Sequence, residues 1–178
     1  MSAEITAPLA PGPAAPLIEL RGVWVRYPGG TDPALGPANL VVGHGELVTV
    51  TGPAGSGKST LLAVVGLLIR PAAGRYLLNG LDTAALGDRD LAALRGRQLG
   101  WVFQRPRLLP ARTALDNVMV PLLYGGVARP KRRAAAAAAL DRVGLAGWAK
   151  VAAGRLSAGQ QQAVAIARAI VTEPNLLL

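Results

Sequence analysis

The sequence predicts an α/β fold with an antiparallel β portion at its start and a helical portion behind it, on three observations. Residues 17–27, "LIELRGVWVRY", alternate apolar and polar side chains, which is typical of a half-buried strand. Residues 46–50, "ELVTV", read as a strand buried on both faces that leads into a glycine-rich loop and a short apolar helix. From Thr113 onward the pattern changes to helices.

The order of elements follows from these patterns and from the turn residues between them. Residues 1–16 lack the basic start and apolar run of a signal peptide and are rich in Pro and Ala, so we expect a flexible tail before a domain over 17–178. Turn residues after Tyr27 and at 43–45 separate the first strands, and Pro71 ends the first helix. The later predicted elements are a strand at 74–80, a helix and strand within 91–104, helices at 113–123, 130–145 and 157–171, and the opening of a buried strand at Leu176.

Composition excludes several classes of protein. The chain has no cysteine, so it forms neither disulfides nor thiolate metal sites. Its most apolar internal run, Leu61 to Ile69, is less than half of the roughly 20 residues that a membrane-spanning helix needs. The formal net charge is +9. Because the arginines are scattered and no aromatic residues alternate with them, this charge does not favour a nucleic-acid partner.

The segment "GPAGSGKS", residues 52–59, matches the GxxxxGK[ST] pattern of phosphate-binding loops and has a strand before it and a helix after it. Its glycines let backbone N–H groups point at phosphate oxygens near the positive end of the helix. We expect Lys58 to reach the β and γ phosphates and the Ser59 hydroxyl to coordinate Mg²⁺. The predicted nucleotide-binding residues here are Gly52, Pro53, Ala54, Gly55, Ser56, Gly57, Lys58, Ser59 and Thr60.

A second motif, "LSAGQ", stands directly before the apolar periodic run "VAIARAIV". Ser157 and Gln160 are three residues apart, which predicts a capping box with Ser157 as the N-cap and Gln160 at the third helical position. By itself this pattern indicates only the start of a helix. In a chain that also carries a phosphate loop it is far more specific.

With "WVFQ" at residues 101–104, these motifs resemble the ATP-binding cassette (ABC) ATPases over residues 17–178. The segments "LLPARTALDNVMVPLLY" and "GQQQ" are most similar to the lipoprotein-release and macrolide-export type of transporter ATPase. The resemblance implies a P-loop NTPase core with an antiparallel β portion and a helical subdomain from about 106 to 165. It also implies ATP and Mg²⁺ as ligands.

The resemblance assigns further roles to single residues. Tyr27 matches the aromatic residue that stacks on adenine, and Gln104 matches the glutamine that contacts Mg²⁺ or the attacking water and senses the permease. Ser59 and Gln104 are thus the implied metal contacts. Two cassettes of this family dimerise head to tail, which implies that the signature residues bind the partner's nucleotide. Those residues are Ser157, Ala158, Gly159 and Gln160.

Two positions depart from the family pattern. Ala158 replaces the first glycine of LSGGQ, while the second, Gly159, is kept. We expect the added methyl group to be tolerated. Ala163 stands where close relatives carry an arginine, which removes one charge from the signature helix.

In the family, the strand that begins "LLL" ends in an aspartate and a glutamate, and a switch histidine follows further on. The sequence ends at Leu178, ahead of these positions. We therefore expect a C-terminally incomplete cassette that binds ATP without meaningful hydrolysis, and we assign no catalytic residue. A core sheet without its central strand is also expected to be marginally stable.

The resemblance implies the ATP-binding subunit of an ABC transporter, coupling ATP binding and hydrolysis to transport through a separate membrane permease. It implies a cytoplasmic location at the inner face of the membrane, and a homodimer or a second ABC ATPase domain as a further partner. Two alternatives stay open: a non-hydrolysing binding, regulatory or degenerate cassette, and an ABC ATPase that acts on nucleic acid. A P-loop kinase leaves Gln104 and "LSAGQ" unexplained.

Overall fold

The computed structural model describes residues 4–6, 15–30 and 32–178, and the chain divides into two compact units, Met1–Leu91 and Ala92–Leu178. The strands are β1 (Glu4–Thr6), β2 (Ile18–Val25), β3 (Leu35–Val42), β4 (Thr49–Thr51), β5 (Ala73–Leu78), β6 (Leu81–Asp82), β7 (Leu99–Gly100) and β8 (Leu176–Leu177). The helices are α1 (Lys58–Val65), α2 (Asp88–Gln98), α3 (Ala114–Tyr124), α4 (Arg129–Arg142) and α5 (Ala158–Ile170). The predicted α/β class is confirmed.

A four-stranded antiparallel sheet, in the order β3-β2-β5-β6, dominates the first unit. The alternation predicted for the first strand is confirmed, because Ile18 and Leu20 are buried while Glu19 between them is only partly covered. The register with β3 shifts after Leu20. Beyond the shift the buried positions have odd instead of even numbers, and they are Val23 and Val25. The sheet thus has one apolar face over the core of this unit.

The strand before the phosphate loop differs from the prediction. Residues 46–50 were expected to be buried on both faces, but β4 covers only Thr49–Thr51 and Leu47 is 86% exposed. A strand is buried on both faces when it lies inside a sheet that helices cover on both sides. Among the described residues, β4 pairs only with β1, in antiparallel register.

The predicted flexible tail, residues 1–16, lies largely outside the described residues. Within it, Glu4–Thr6 form β1 and pair with Thr49–Thr51. The physical reason is that the edge of β4 presents backbone N–H and C=O groups, and an extended segment satisfies them.

Helices α3, α4 and α5 build the core of the second unit, and all three were predicted within two or three residues of their observed ends. The six-alanine run 134–139 lies inside α4. Its buried members, Ala136 and Ala139, join Leu140 on one face at helical spacing. The other buried members of the cluster are Ala114, Leu115, Val118, Leu122, Leu145, Leu156, Val164, Ala167 and Val171.

The last strand pairs parallel with β7, with Leu99 opposite Leu176 and Gly100 opposite Leu177. The predicted strand at Leu176 is confirmed, but its burial is not, because Leu177 is half exposed. The pairing continues beyond both strands: the Leu178 N–H donates to the Gly100 carbonyl (2.9 Å) and the Val102 N–H to the Leu178 carbonyl (2.7 Å).

Candidate nucleotide-binding site

The glycine-rich loop lies between β4 and α1, so the predicted strand–loop–helix order is present. Gly57, directly before the helix, has φ = +90°, a conformation that L side chains rarely adopt. A Cβ built there would lie 2.8 Å from the Ala34 carbonyl oxygen and 3.2 Å from Leu35 Cδ1. Backbone conformation and space therefore both require glycine at this corner of the loop.

The Lys58 ammonium folds onto the loop that precedes it. Nζ donates to the carbonyl oxygens of Gly52 (2.9 Å) and Pro53 (2.6 Å), and it lies 3.4 Å from Ser56 Oγ. These acceptors are neutral, and a phosphate oxygen is a stronger acceptor for an ammonium group. The loop thus already holds one positive charge within its own curve.

The N-terminus of α1 adds backbone donors to this positive charge. No side chain caps the helix at Gly57, and its first turn contains no acidic residue. The first N–H groups of a helix have no intrahelical acceptor, and the helix dipole favours an anion there. Ser59 is exposed in the same turn. Lys58, these N–H groups and the Ser59 hydroxyl together suit a phosphate chain that carries Mg²⁺, which typically keeps water ligands and uses few protein oxygens.

Tyr27 lies beside the first turn of α1. Its hydroxyl is 3.5 Å from Thr60 Oγ1, and the tyrosine side chain is about half exposed at 46%. The structure therefore brings the predicted adenine-stacking residue next to a residue of the predicted phosphate loop, 33 positions later in the sequence. An exposed aromatic ring offers a face for stacking on a base.

In the second unit, Gln104 is exposed four residues after β7. The rings just before it are ordered, since Trp101 stacks on Phe103 with centroids 5.4 Å apart and an angle of 11° between the planes. Gln104 lies in the irregular segment after β7, whereas the signature residues stand at the start of α5.

The predicted capping box at the start of α5 is confirmed. The Gln160 N–H donates to Ser157 Oγ (3.3 Å), and the Ser157 N–H donates to Gln160 Oε1 (2.9 Å). Ser157, Ala158 and Gly159 are exposed. A Cβ built at Gly159 meets nothing within 4 Å, so the packing of this chain by itself does not require a glycine there.

Two polar residues inside the helical unit were missed by the sequence reasoning. Asn117 is fully buried, and its amide bonds to the Leu109 N–H (2.7 Å), the Leu109 carbonyl (3.1 Å) and the Thr113 carbonyl (2.9 Å). Arg168 binds the backbone carbonyls of Pro106 and Arg107. The available signal was a polar side chain at a core-facing helical position, as Arg168 stands inside the apolar run "VAIARAIV".

Within 4–6, 15–30 and 32–178, no three His, Cys, Asp or Glu side chains come together to hold a metal ion. In the same ranges, every helix is too short or too polar to span a bilayer.

Comparison with known proteins identifies similar sequences. The profile of the family described as "ABC transporter" matches residues 35–178. The lipoprotein-releasing system ATP-binding protein LolD of Anaeromyxobacter dehalogenans is 49% identical over 168 residues, which cover 93% of this chain and 70% of that protein. The macrolide export ATP-binding/permease protein MacB of Chromobacterium violaceum is 46% identical over 163 residues, covering 90% of this chain and 25% of that protein.

The fold is similar to that of solved cassettes. A dimeric bacterial ABC transporter cassette, MJ0796, superposes with a TM-score of 0.78 at 36% identity, over 90% of this chain and 72% of that one. The same cassette has also been solved as a dimer in a post-hydrolysis state bound to ADP and Pi, with the same TM-score. The chain thus spans about a quarter of the MacB relative and about 70% of the LolD relative.

Proposed function

The chain belongs to the ABC transporter family, and we propose that it is the ATP-binding subunit of a transporter of the LolD and MacB type, working on a permease carried by a separate chain. The observation that carries the proposal is the presence in one chain of the Gly52–Ser59 loop before α1 and the capped "LSAGQ" helix start. The LolD relative, of which the chain covers 70%, is named an ATP-binding protein, whereas the MacB relative is named an ATP-binding/permease protein.

The proposed ligand of the first unit is Mg-ATP. Lys58 and the open N-terminus of α1 bind the phosphates, Tyr27 stacks on the adenine, and Ser59 coordinates Mg²⁺. Gln104 is the second proposed contact of the metal. When bound, Mg²⁺ neutralises charge on the β and γ phosphates.

The proposed partner of the nucleotide-bound form is a second cassette. Ser157 and Gly159 then contact the γ-phosphate held by the partner's loop, as a helix N-terminus suits an anion. The open space around Gly159 supports this role, because a glycine not required by the chain's own packing is available for close approach by another molecule. MJ0796, the similar cassette, is a dimer.

The nucleotide site is tested by titrating a fluorescent ATP analogue into the wild-type chain and into Lys58→Ala. We expect Lys58→Ala to weaken binding by at least tenfold, because it removes the cation of the loop. Lys150→Ala is the matched control, since Lys150 is an exposed lysine of the second unit, and it should bind like the wild type. Equal affinity of Lys58→Ala and the wild type would contradict the proposal.

The dimer and the permease are tested separately. Mg-ATP should shift the chain from monomer to dimer in sedimentation velocity, and Gly159→Val should remove this shift while leaving binding of the fluorescent analogue intact.

The proposed location at the inner face of the membrane predicts that the chain sediments with membranes only when its permease is co-expressed. Membrane binding without any permease would contradict the proposed location.

A further inference from the structure

The segment 101–112, which carries Gln104, has no helix or strand, yet side chains and backbone hold it at several points. At its start, the Val102 N–H donates to the Leu178 carbonyl (2.7 Å). Near its end, the buried Asn117 amide bonds both the N–H and the carbonyl of Leu109. Between these two points, the chain is held by Arg168 of α5.

Arg168 uses its guanidinium as a fork on two consecutive carbonyl groups. One terminal nitrogen donates to the Pro106 oxygen (2.7 Å) and the other to the Arg107 oxygen (3.0 Å). The three ion pairs found in the described part of the chain do not include Arg168. Burial lowers the pKa of its guanidinium, because desolvation disfavours the charged form. In the described part of the chain, the hydrogen bonds of this partly buried cation thus go to the backbone of one loop.

The backbone that Arg168 holds is in an unusual conformation. Arg107 has φ = +46°, in the left-handed region that non-glycine residues rarely adopt. Its guanidinium lies 4.8 Å from the centroid of the Phe103 ring, which in turn stacks on Trp101. We refer to residues 101–107 as the Gln104 turn. The side chains of Trp101, Phe103 and Arg107 stack along it, and the exposed Gln104 lies at its centre.

We propose that Arg168 is a positioning residue for Gln104: by fixing the carbonyls of Pro106 and Arg107, it sets where Gln104 stands relative to the signature helix. This inference rests on the proposed function, since it takes Gln104 as a contact of the nucleotide-bound Mg²⁺. Arg168 and Ser157 lie on one helix about 16 Å apart. Helix α5 therefore connects the signature position Ser157 with the backbone of the segment that carries Gln104.

The first test compares nucleotide affinity with Mg²⁺ and with EDTA in the full chain. Arg168→Met removes both hydrogen bonds but keeps much of the side-chain length. It should reduce the Mg²⁺-dependent gain in affinity by roughly tenfold, as loss of a residue that orients a metal ligand typically does. Affinity in EDTA should be unchanged. Gln104→Ala should show the same loss, and the double variant no additional loss.

Gln161→Met is the matched control for a purely structural effect. Gln161 is also on α5 and also donates to two backbone carbonyls, but these belong to Ala153 and Leu156 rather than to residues 101–112. It should lower thermal stability while keeping the full Mg²⁺ effect. If Arg168→Met behaves like Gln161→Met while Gln104→Ala loses the Mg²⁺ effect, the inference is wrong and the proposed function stands.

The second test needs no nucleotide and separates the two proposals. In a Trp24→Phe, Trp148→Phe background, Trp101 is the only tryptophan left and reports on the turn. Arg168→Met should raise acrylamide quenching of Trp101, whereas Gln161→Met should not. Arg168→Lys, which keeps the charge but lacks the planar fork, should give an intermediate increase and serves if the methionine variant does not fold. Unchanged quenching of Trp101 in both Arg168→Met and Arg168→Lys would overturn the inference, whatever the outcome of the nucleotide titration.

Discussion

Gly96 and Gly100, four residues apart, show how differently the structure uses the same residue type. Gly96 lies exposed in α2, and a Cβ built there meets nothing within 4 Å. Gly100 is buried in β7, where a Cβ would collide with the Ala169 carbonyl oxygen and lie 3.0 Å from Leu177 Cδ1 and from Pro174 Cγ. Gly100 thus allows β7, β8 and the end of α5 to approach one another closely.

This difference predicts opposite effects of alanine at the two positions. Gly100→Ala should lower the free energy of unfolding by about 1–3 kcal/mol, because the backbone it meets cannot easily move away. Gly96→Ala should raise it by about 1 kcal/mol, the difference in helix propensity. Urea denaturation followed by circular dichroism measures both. A destabilisation by Gly96→Ala equal to that by Gly100→Ala would contradict the packing argument.

At the level of elements, α4 owes its place in the core to small side chains. Ala136 and Ala139 are buried on the face that packs in the helical cluster, while Ala137 and Ala138 between them are exposed. Small residues on the buried face let helices approach closely. The alanine run therefore combines high helix propensity with a packing function on one side only.

Leucine at a buried and at an exposed position of the alanine run separates the packing contribution from the propensity contribution. Ala136→Leu should destabilise the chain by about 1–3 kcal/mol, since Ala136 is fully buried and the larger side chain overpacks the cluster. Ala137→Leu, on the exposed face, should change stability by less than about 0.5 kcal/mol. Thermal unfolding of both variants measures the difference. Equal effects would show that the run acts through propensity alone.

Across the whole molecule, the net charge of +9 has the same sign as the charge in the glycine-rich loop. The net charge is not what would make that loop a specific anion site. Lys58 and the N-terminus of α1 are the local anion site of the proposed function, whereas the remaining basic residues are spread over both units. A charge distributed in this way promotes solubility and non-specific attraction. A specific anion site depends on local geometry.

A ligand that binds only the folded chain stabilises it by mass action. At 100 times its dissociation constant, Mg-ATP should stabilise the folded form by about 2.7 kcal/mol. For a chain of this size that corresponds to a rise in melting temperature of about 5–11 °C. Differential scanning fluorimetry at several nucleotide concentrations should show a rise that grows with the logarithm of concentration. The same rise with Mg²⁺ alone would contradict nucleotide binding as its cause.

The sequence by itself determined the features that depend on local patterns. The alternation in β2, the glycine-rich loop before α1, the three later helices and the capping box at Ser157 all follow from residues near one another in the chain, and the structure has each of them. Local spacing is sufficient there because backbone conformation and capping are decided within a few residues.

Only the tertiary structure decided the features that depend on distant partners. The exposure of β4, its pairing with Glu4–Thr6, the approach of Tyr27 to Thr60 and the hold of Arg168 on Pro106 and Arg107 each join residues far apart in sequence. Burial and side-chain to backbone hydrogen bonds depend on which segments meet in space. Apolar residues that recur every 2 residues in a strand or every 3.6 residues in a helix indicate which face of the element is apolar. They do not indicate which segment covers that face.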